Sequence, residues 1–241
     1  IELPHSTLSI PSFMTTWPDT PRGTDIKKWL GSTSWYAETA IHLTPSDFKA
    51  FAPRLANAHT PIEQTSKLYG LEECINVPQL NISNNGSLNL TAKLFINDYI
   101  NSPEYTLEIN RLQTNARLQH YITQELNGQA KEISPILTRL DTVNLSGQVR
   151  FSKESQSATL NLNNRLAGIR ISSSARNWNQ FKANITSPKI DLAKLLSDNG
   201  RHTLNHTSLD ISASGVLKDK NGKPHINIHT ILPLLCIQER E

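Results

Sequence analysis

Residues 87–96 read SLNLTAKLFI, and this stretch decides the fold class. Its apolar side chains fall on every second residue: Leu88, Leu90, Ala92, Leu94 and Ile96. Successive side chains of a β-strand point to opposite faces of the sheet. This spacing therefore predicts a strand with one apolar face and one solvated face.

The same alternation recurs along most of the chain. It is found in residues 35–43 (WYAETAIHL), 105–109 (YTLEI), 143–151 (VNLSGQVRF) and 158–163 (ATLNLN). Later strands are predicted around Ile169 and Ile171, Phe181 and Ile185, Leu209 and Ile211, and Ile226 and Ile228. Regular apolar-in, polar-out alternation is typical of antiparallel sheets with one wet face. The sequence predicts a mainly β protein with a mostly antiparallel sheet.

Helical periodicity is limited to short interruptions between these strands. They are residues 24–31, 46–56, 116–127, 134–140 and 190–200. The last begins at Asp191, ends at Gly200 and places Leu192, Leu195 and Leu196 on one face. A helix this short has little stability by itself, so its apolar face must dock on another element. We predict that these three leucines form a helical cap on the end of the sheet.

Two segments repeat one arrangement of strand, turn and helical turn. Residues 40–55 (AIHLTPSDFKAFAPRL) and 183–198 (ANITSPKIDLAKLLSD) both follow it. Repetition of a unit that cannot bury its own apolar face predicts an elongated sheet of stacked strands. We interpret residues 1–241 as one β-rich repeat segment of a longer protein, and two sub-repeats meeting near 128–142 would also fit.

Composition and motifs argue against catalysis and nucleic-acid binding. The formal net charge is only +3, and the basic residues are scattered instead of forming a stripe along which phosphates could bind. His202 and His206 lack the glutamate of a zincin helix, while His225 and His229 fall on the polar face of a predicted strand. Nucleophile elbows and phosphate loops are absent from the sequence. We expect no enzyme activity, no catalytic residues, no metal site and no cofactor.

The alternating apolar residues have two structural interpretations, and the period of the pattern does not distinguish between them. They form either the core of a closed β-sandwich or the inner face of an open, curved sheet that binds an apolar ligand. In the second reading the groove is lined by Leu88, Leu90, Leu94, Ile96, Leu107, Ile109, Val143, Leu145, Val149, Phe151, Leu160, Leu162, Ile169, Ile171, Leu209 and Ile211.

Several of these segments, in their order along the chain, resemble the TamB branch of the AsmA-like superfamily of envelope proteins. The residues that carry the resemblance are 39–53 (TAIHLTPSDFKAFAP), 68–83 (LYGLEECINVPQLNIS), 136–151 (ILTRLDTVNLSGQVRF), 190–198 (IDLAKLLSD) and 206–228 (HTSLDISASGVLKDKNGKPHINI). The resemblance extends over most of residues 1 to about 230.

The resemblance implies a taco-shaped sheet whose apolar trough carries phospholipid acyl chains between the inner and outer membranes. It also implies a periplasmic middle segment, with an inner-membrane anchor helix and a contact to a BamA-like outer-membrane barrel in parts of the parent chain outside this sequence. The family offers no catalytic residues. Two alternatives remain open: a scaffold for outer-membrane protein assembly, and a secreted or surface β-sandwich adhesin.

Overall fold

The computed structural model describes residues 3–16, 33–51, 60–71, 73–115, 142–191, 202–204, 207–218, 222–231 and 237–239. Its strands pair antiparallel, as predicted. The chain divides into two compact units, Ile1–Arg111 and Leu112–Glu241. The predicted junction at 128–142 lies outside the described residues except for Thr142, and the predicted cap leucines Leu192, Leu195 and Leu196 lie outside them as well.

The strands of the first unit follow one another in space as they do in sequence. They are β1 (Thr7–Thr16), β2 (Ser34–Leu43), β3 (Ile62–Leu71), β4 (Cys74–Asn84), β5 (Leu88–Asn97) and β6 (Glu104–Thr114). Asn85 and Gly86 both have positive φ angles, of 27° and 79°, in the turn between β4 and β5. The Ser87 N–H closes this turn by donating to the Asn84 carbonyl at 2.6 Å. Asn and Gly tolerate positive φ, which is why they occupy a tight hairpin turn.

The second unit has the same serial arrangement. Its main sheet has the order β7 (Val143–Phe151), β8 (Ser155–Asn163), β9 (Ala167–Arg176), β10 (Gln180–Ile190), β12 (Thr207–Val216) and β13 (His225–Ile231). Two short strands, β11 (His202–Leu204) and β14 (Ile237–Glu239), pair with each other in a separate sheet. Serial antiparallel pairing puts successive connections at alternate ends of the sheet.

Prolines mark the irregular points of three long strands. The register between β4 and β5 shifts between Val77 and Leu80, a step that contains Pro78. Pro11 and Pro188 lie within the register shifts of β1 and β10. Proline has no backbone N–H to give to the ladder, so a bulge is where a strand tolerates it. In β4 the bulge reverses the alternation, and Val77 and Leu80 consequently point to the same face.

A 3₁₀ turn at Pro45–Phe48 is the one helix in the described part of the chain. The helix predicted over 46–56 is wrong at residues 49–51, which form a turn. The side chains of Thr44 and Asp47, at the start of the 3₁₀ turn, bind the segment before β1 instead of capping a helix. The Thr44 hydroxyl donates to the His5 carbonyl at 2.8 Å, and Asp47 accepts from the Ser6 hydroxyl at 2.6 Å. No described helix is long and apolar enough to cross a membrane.

Trp35 covers a gap in the apolar face of the first unit. It lies directly opposite Gly70 in the pairing of β2 with β3. Gly70 is buried, and a Cβ atom added there would overlap the Trp35 indole ring. The glycine therefore makes room for the ring to lie flat against the strand, an aromatic–glycine cross-strand pair.

We predict that Gly70→Ala destabilises the first unit because the added methyl displaces the Trp35 ring. Overpacking of this kind costs about 1–3 kcal/mol. Urea denaturation should show the loss in the wild-type background and a much smaller loss in a Trp35→Ala background, where the overlap is removed. Equal losses in both backgrounds would contradict the role assigned to the ring.

A second prediction concerns pH and the Asp47 carboxylate. Hydrogen bonds from the Ser6 hydroxyl and the His5 N–H hold the pKa of Asp47 below its ordinary value. A lowered pKa means that the unfolded chain takes up the proton more readily than the folded one. Its stabilising effect is therefore full above the ordinary aspartate pKa of about 3.9, and it is lost as the pH falls from there through the lowered pKa. The melting-temperature difference between wild type and Asp47→Asn should be largest near neutral pH and should shrink in acid. A difference that is constant with pH would contradict this account.

Candidate apolar binding face

The register of the second unit arranges its apolar side chains in rows that cross several strands. Leu160 lies opposite Ile171, Ile171 opposite Ile185, and Ile185 opposite Ile211. Directly opposed residues share a face of the sheet, so these four side chains form one apolar row across β8, β9, β10 and β12. Gly147 of β7 lies opposite Leu160 and continues the row.

The other predicted groove residues of this unit lie on the same face. Leu145 opposes Leu162, which opposes Ile169, and Leu209 opposes Ser187. The alternation of β7 adds the remaining three, Val143, Val149 and Phe151. The predicted set omitted Phe181 and Ile185, although both belong to this face. Phe181 lies between Ala175 of β9 and Gly215 of β12 in the row nearest the β9–β10 turn.

In the first unit a corresponding apolar face includes β4 and β5. Leu94 opposes Val77, while Ile96, Leu90 and Leu88 oppose Ile75, Ile82 and Asn84. Lys93 Nζ lies 3.4 Å from Glu108 Oε1 of β6, which puts these two charges on the opposite face. By alternation Leu107 and Ile109, on either side of Glu108, share the apolar face. Trp35 and Ile41 also belong to it, and neither was among the predicted groove residues.

Most large side chains of these faces are only half buried. The buried apolar residues in the described part of the chain are Ala37, Val77, Ala92, Ile109, Leu166, Ala167 and Ile190. The rows through Leu160 and Leu162 remain partly accessible. The long strands of each unit form a single layer, whereas in a β-sandwich two layers bury each other's inner faces. Each unit therefore presents a face whose large apolar side chains stay partly accessible.

The opposite face of the second unit is polar. One of its rows contains Gln148, Thr159, Ser172, Asn184 and Ser212 in adjacent strands. His225, Asn227 and His229 share this face, as predicted, since they oppose Val216, Ser214 and Ser212. Short polar side chains of this kind are satisfied by water and by one another. Each strand thus separates a wet face from an apolar one.

Titratable groups do not assemble into a metal site within the described residues. These residues contain no group of three or more metal-ligating side chains. The side chains of His202 and His206 lie outside the described residues. A shallow depression on the polar face of the second unit is lined by Lys182, Asn184 and His229, among others. It has the open geometry of a wet sheet surface and no nucleophile paired with a base.

One charged cluster on the first unit has shifted pKa values. The Tyr36 hydroxyl donates to the Glu38 carboxylate, and this bond raises the pKa of Tyr36 to about 12. The same hydrogen bond is the main reason why the pKa of Glu38 lies below its ordinary value. The positive charge of Lys67 lowers that pKa further. Lys67 Nζ lies 3.6 Å from Glu38 Oε1. The hydrogen bond therefore keeps the phenol protonated and the carboxylate ionised near neutral pH, and each stabilises the other.

Comparison with family models, curated proteins and solved structures finds no match to this chain. The case for function consequently depends on the sheet itself, and its most distinctive property is an apolar face that the described strands leave partly open.

Proposed function

We propose that the protein is a non-enzymatic component of envelope biogenesis whose apolar sheet faces hold the acyl chains of phospholipids. One observation carries the proposal. The row of Leu160, Ile171, Ile185 and Ile211 crosses four strands without a polar interruption and remains only half buried. Monomeric soluble proteins rarely leave a continuous apolar surface of this kind exposed unless it binds something.

An acyl chain fits the dimensions of this face. Strands of nine to eleven residues, as in β7 to β10, extend about 30–36 Å at roughly 3.3 Å per residue. The hydrocarbon core of a bilayer is about 30 Å thick, so one leaflet's chains reach about half as far. An acyl chain therefore finds apolar contacts along its whole length on the sheet.

The energy of such contacts is sufficient for binding and modest enough for release. Removing a methylene from water is worth about 0.8 kcal/mol, so about fourteen methylenes with one side on the sheet gain roughly 5 kcal/mol. The row through Leu160 consists of leucine and isoleucine, while an adjacent row contains the small residues Ala158, Ser173 and Ala183, which gives no single deep pocket. A flexible hydrocarbon suits this surface better than a rigid ligand, because it adapts to many equivalent positions.

The resemblance to TamB-like proteins extends the proposal to a biological setting. In that setting the chain is a periplasmic segment that carries phospholipid between the inner and outer membranes. The anchor in the inner membrane and the contact with a BamA-like barrel belong to other parts of the parent protein. These points are supported by the segments quoted from the sequence, and the half-buried apolar rows agree with them.

A scaffold for outer-membrane protein assembly is the second candidate, favoured by one feature of β13. This terminal strand of the second unit's sheet is exposed at all seven of its residues, and it contains neither lysine nor proline. Edge strands without such protection readily accept another strand through backbone hydrogen bonds. The occupant in this case is an extended peptide of alternating polar and apolar residues.

Matched substitutions on the two faces of β8 test the leading proposal. Leu160→Glu puts a carboxylate into the apolar row, while Thr159→Glu puts the same group on the polar face next to it. Both variants should fold, since a half-exposed carboxylate reaches water and costs about 1–2 kcal/mol at most. Crosslinking to a phospholipid with a photoreactive acyl chain should fall at least about tenfold in Leu160→Glu. It should remain at the wild-type level in Thr159→Glu.

Two results would contradict acyl-chain binding. One is equal crosslinking by both variants, and the other is a set of crosslinked peptides from the polar face. Circular dichroism melts provide the control for folding. If Leu160→Glu unfolds outright while Thr159→Glu does not, the row is a closed core and the adhesin alternative gains.

Hydrogen exchange separates the two candidates on the wild-type protein. An added strand would slow exchange of the outward-pointing amides of β13, whereas a lipid on the sheet face makes no backbone hydrogen bonds to this edge. We expect phospholipid to leave exchange in residues 225–231 unchanged. Protection of these amides by an extended apolar peptide, with no response to phospholipid, would favour the scaffold.

A further inference from the structure

The turns of the second unit place three loops at one end of its main sheet. Because antiparallel neighbours reverse direction, the turns after β7, β9 and β12 all fall on the same side. We name this end the tip ridge and define it as residues 151–154, 176–179 and 216–218. Neighbouring strands are about 4.8 Å apart, so from β7 to β12 the ridge extends roughly 19 Å.

Large apolar side chains are unusually exposed along the tip ridge. Trp178 is 64% exposed, Leu217 50% and Phe151 41%. The opposite end of the same sheet contains Leu166 and Ile190, which are only 6% and 4% exposed. Leu166 and Ile190 are thus buried at that end, although Ile231, which also lies there, is 48% exposed.

Hydrogen bonds between the loops hold the tip ridge in place. The Asn177 N–H donates to the Glu154 carbonyl at 2.7 Å, which links the first two loops. Asn179 links the second and third, since its side-chain oxygen accepts from Lys218 N–H at 2.7 Å and its side-chain amide donates to the Lys218 carbonyl at 2.9 Å. Trp178, between these anchors, has a φ angle of 54°. Asn177, the other central residue of this two-residue hairpin turn, also has a positive φ of 51°, and the hydrogen bonds to the neighbouring loops hold the backbone that presents the ring.

The exposed charges of the tip ridge are mainly positive. Lys153, Arg176 and Lys218 are exposed, and Glu154 is the ridge's one carboxylate. None of the three cations has an ion pair with another residue in the described ranges. A tryptophan and a leucine among exposed cations match the boundary of an anionic bilayer, where the ring lies at headgroup depth and the cations meet lipid phosphates.

We propose that the tip ridge contacts the surface of a membrane that contains anionic phospholipid. A single line of loops is too narrow for a protein–protein interface of standard size, which buries about 800 Å² on each partner. A bilayer needs no such complementary patch, because its headgroups rearrange around the ridge. The apolar row nearest the ridge contains Phe181, so the ridge lies next to the apolar face of the same sheet.

This inference goes beyond the proposed function and is independent of it, because a protein can touch a bilayer without holding an acyl chain. Its test uses the full chain and vesicles of either pure phosphatidylcholine or a mixture with phosphatidylglycerol. Trp178→Asn removes the ring but keeps a residue that tolerates positive φ. Ile231→Ser is the matched control, since Ile231 is 48% exposed and ends β13 away from the ridge.

Co-sedimentation should show binding to the anionic vesicles that weakens at high salt. Each cation near an anionic surface contributes about fivefold in affinity, so Lys153→Gln with Lys218→Gln should weaken binding about 25-fold. Trp178→Asn should weaken it at least about tenfold and abolish the blue shift of tryptophan fluorescence. Ile231→Ser should bind as wild type does.

Two outcomes would overturn the inference: no binding of the wild type to anionic vesicles, or undiminished binding by Trp178→Asn. Loss of vesicle binding in Leu160→Glu with retention in Trp178→Asn would also overturn it, because it would assign the contact to the sheet face. Crosslinking of Trp178→Asn to a dispersed photoreactive phospholipid tests the proposed function separately. Retained crosslinking with lost vesicle binding is the result that supports both.

Discussion

The backbone ladder of a single-layer sheet satisfies the peptide groups of its strands but leaves one apolar face without a partner. In the second unit the directly opposed pairs, such as Leu160 with Ile171, cover only the sides of each other's side chains. In the first unit Trp35 goes further and lies over the strand at Gly70. Such cross-strand contacts stabilise a sheet by fractions of a kcal/mol to about 1 kcal/mol each. They leave part of the surface of these side chains accessible to water, and the proposed acyl-chain ligand would cover that part.

The sequence was sufficient to predict strands wherever the alternation continues without a break. This holds for β5 and for β7 to β9, whose apolar residues keep one parity from end to end. It was insufficient for β1 and β3, which were not among the predicted strands. In β1 the register shift around Pro11 changes the parity in mid-strand. In β3 the face shared with Ile62 and Leu68 also contains Gln64 and Ser66, so the contrast between its two faces is weak.

For the predicted groove residues, the sequence pattern again predicts local features but not those that depend on tertiary structure. Alternation alone identified Leu160, Ile171 and Ile211 as members of apolar faces, because face membership is a local property. The strand register places Ile185 between Ile171 and Ile211. This register depends on the bulge near Pro188 and on the turns. The exposed Trp178 could not be predicted at all, since a turn residue has no periodicity. Its importance depends on which other loops end beside it.

The even composition of the apolar rows bears on movement as well as on binding. If an acyl chain binds to the row through Leu160, a neighbouring row through Leu162 and Ile169 offers contacts of the same kind one pleat further along. The difference in binding free energy between such positions is then small compared with the free energy of leaving the sheet for water. A chain can shift from row to row without exposing most of its methylenes, whereas a deep pocket would have to release it entirely. In this respect a face that is only half buried has an advantage over a well-packed cavity. It gives up part of the affinity that full burial would provide, and it keeps the barriers between neighbouring positions low.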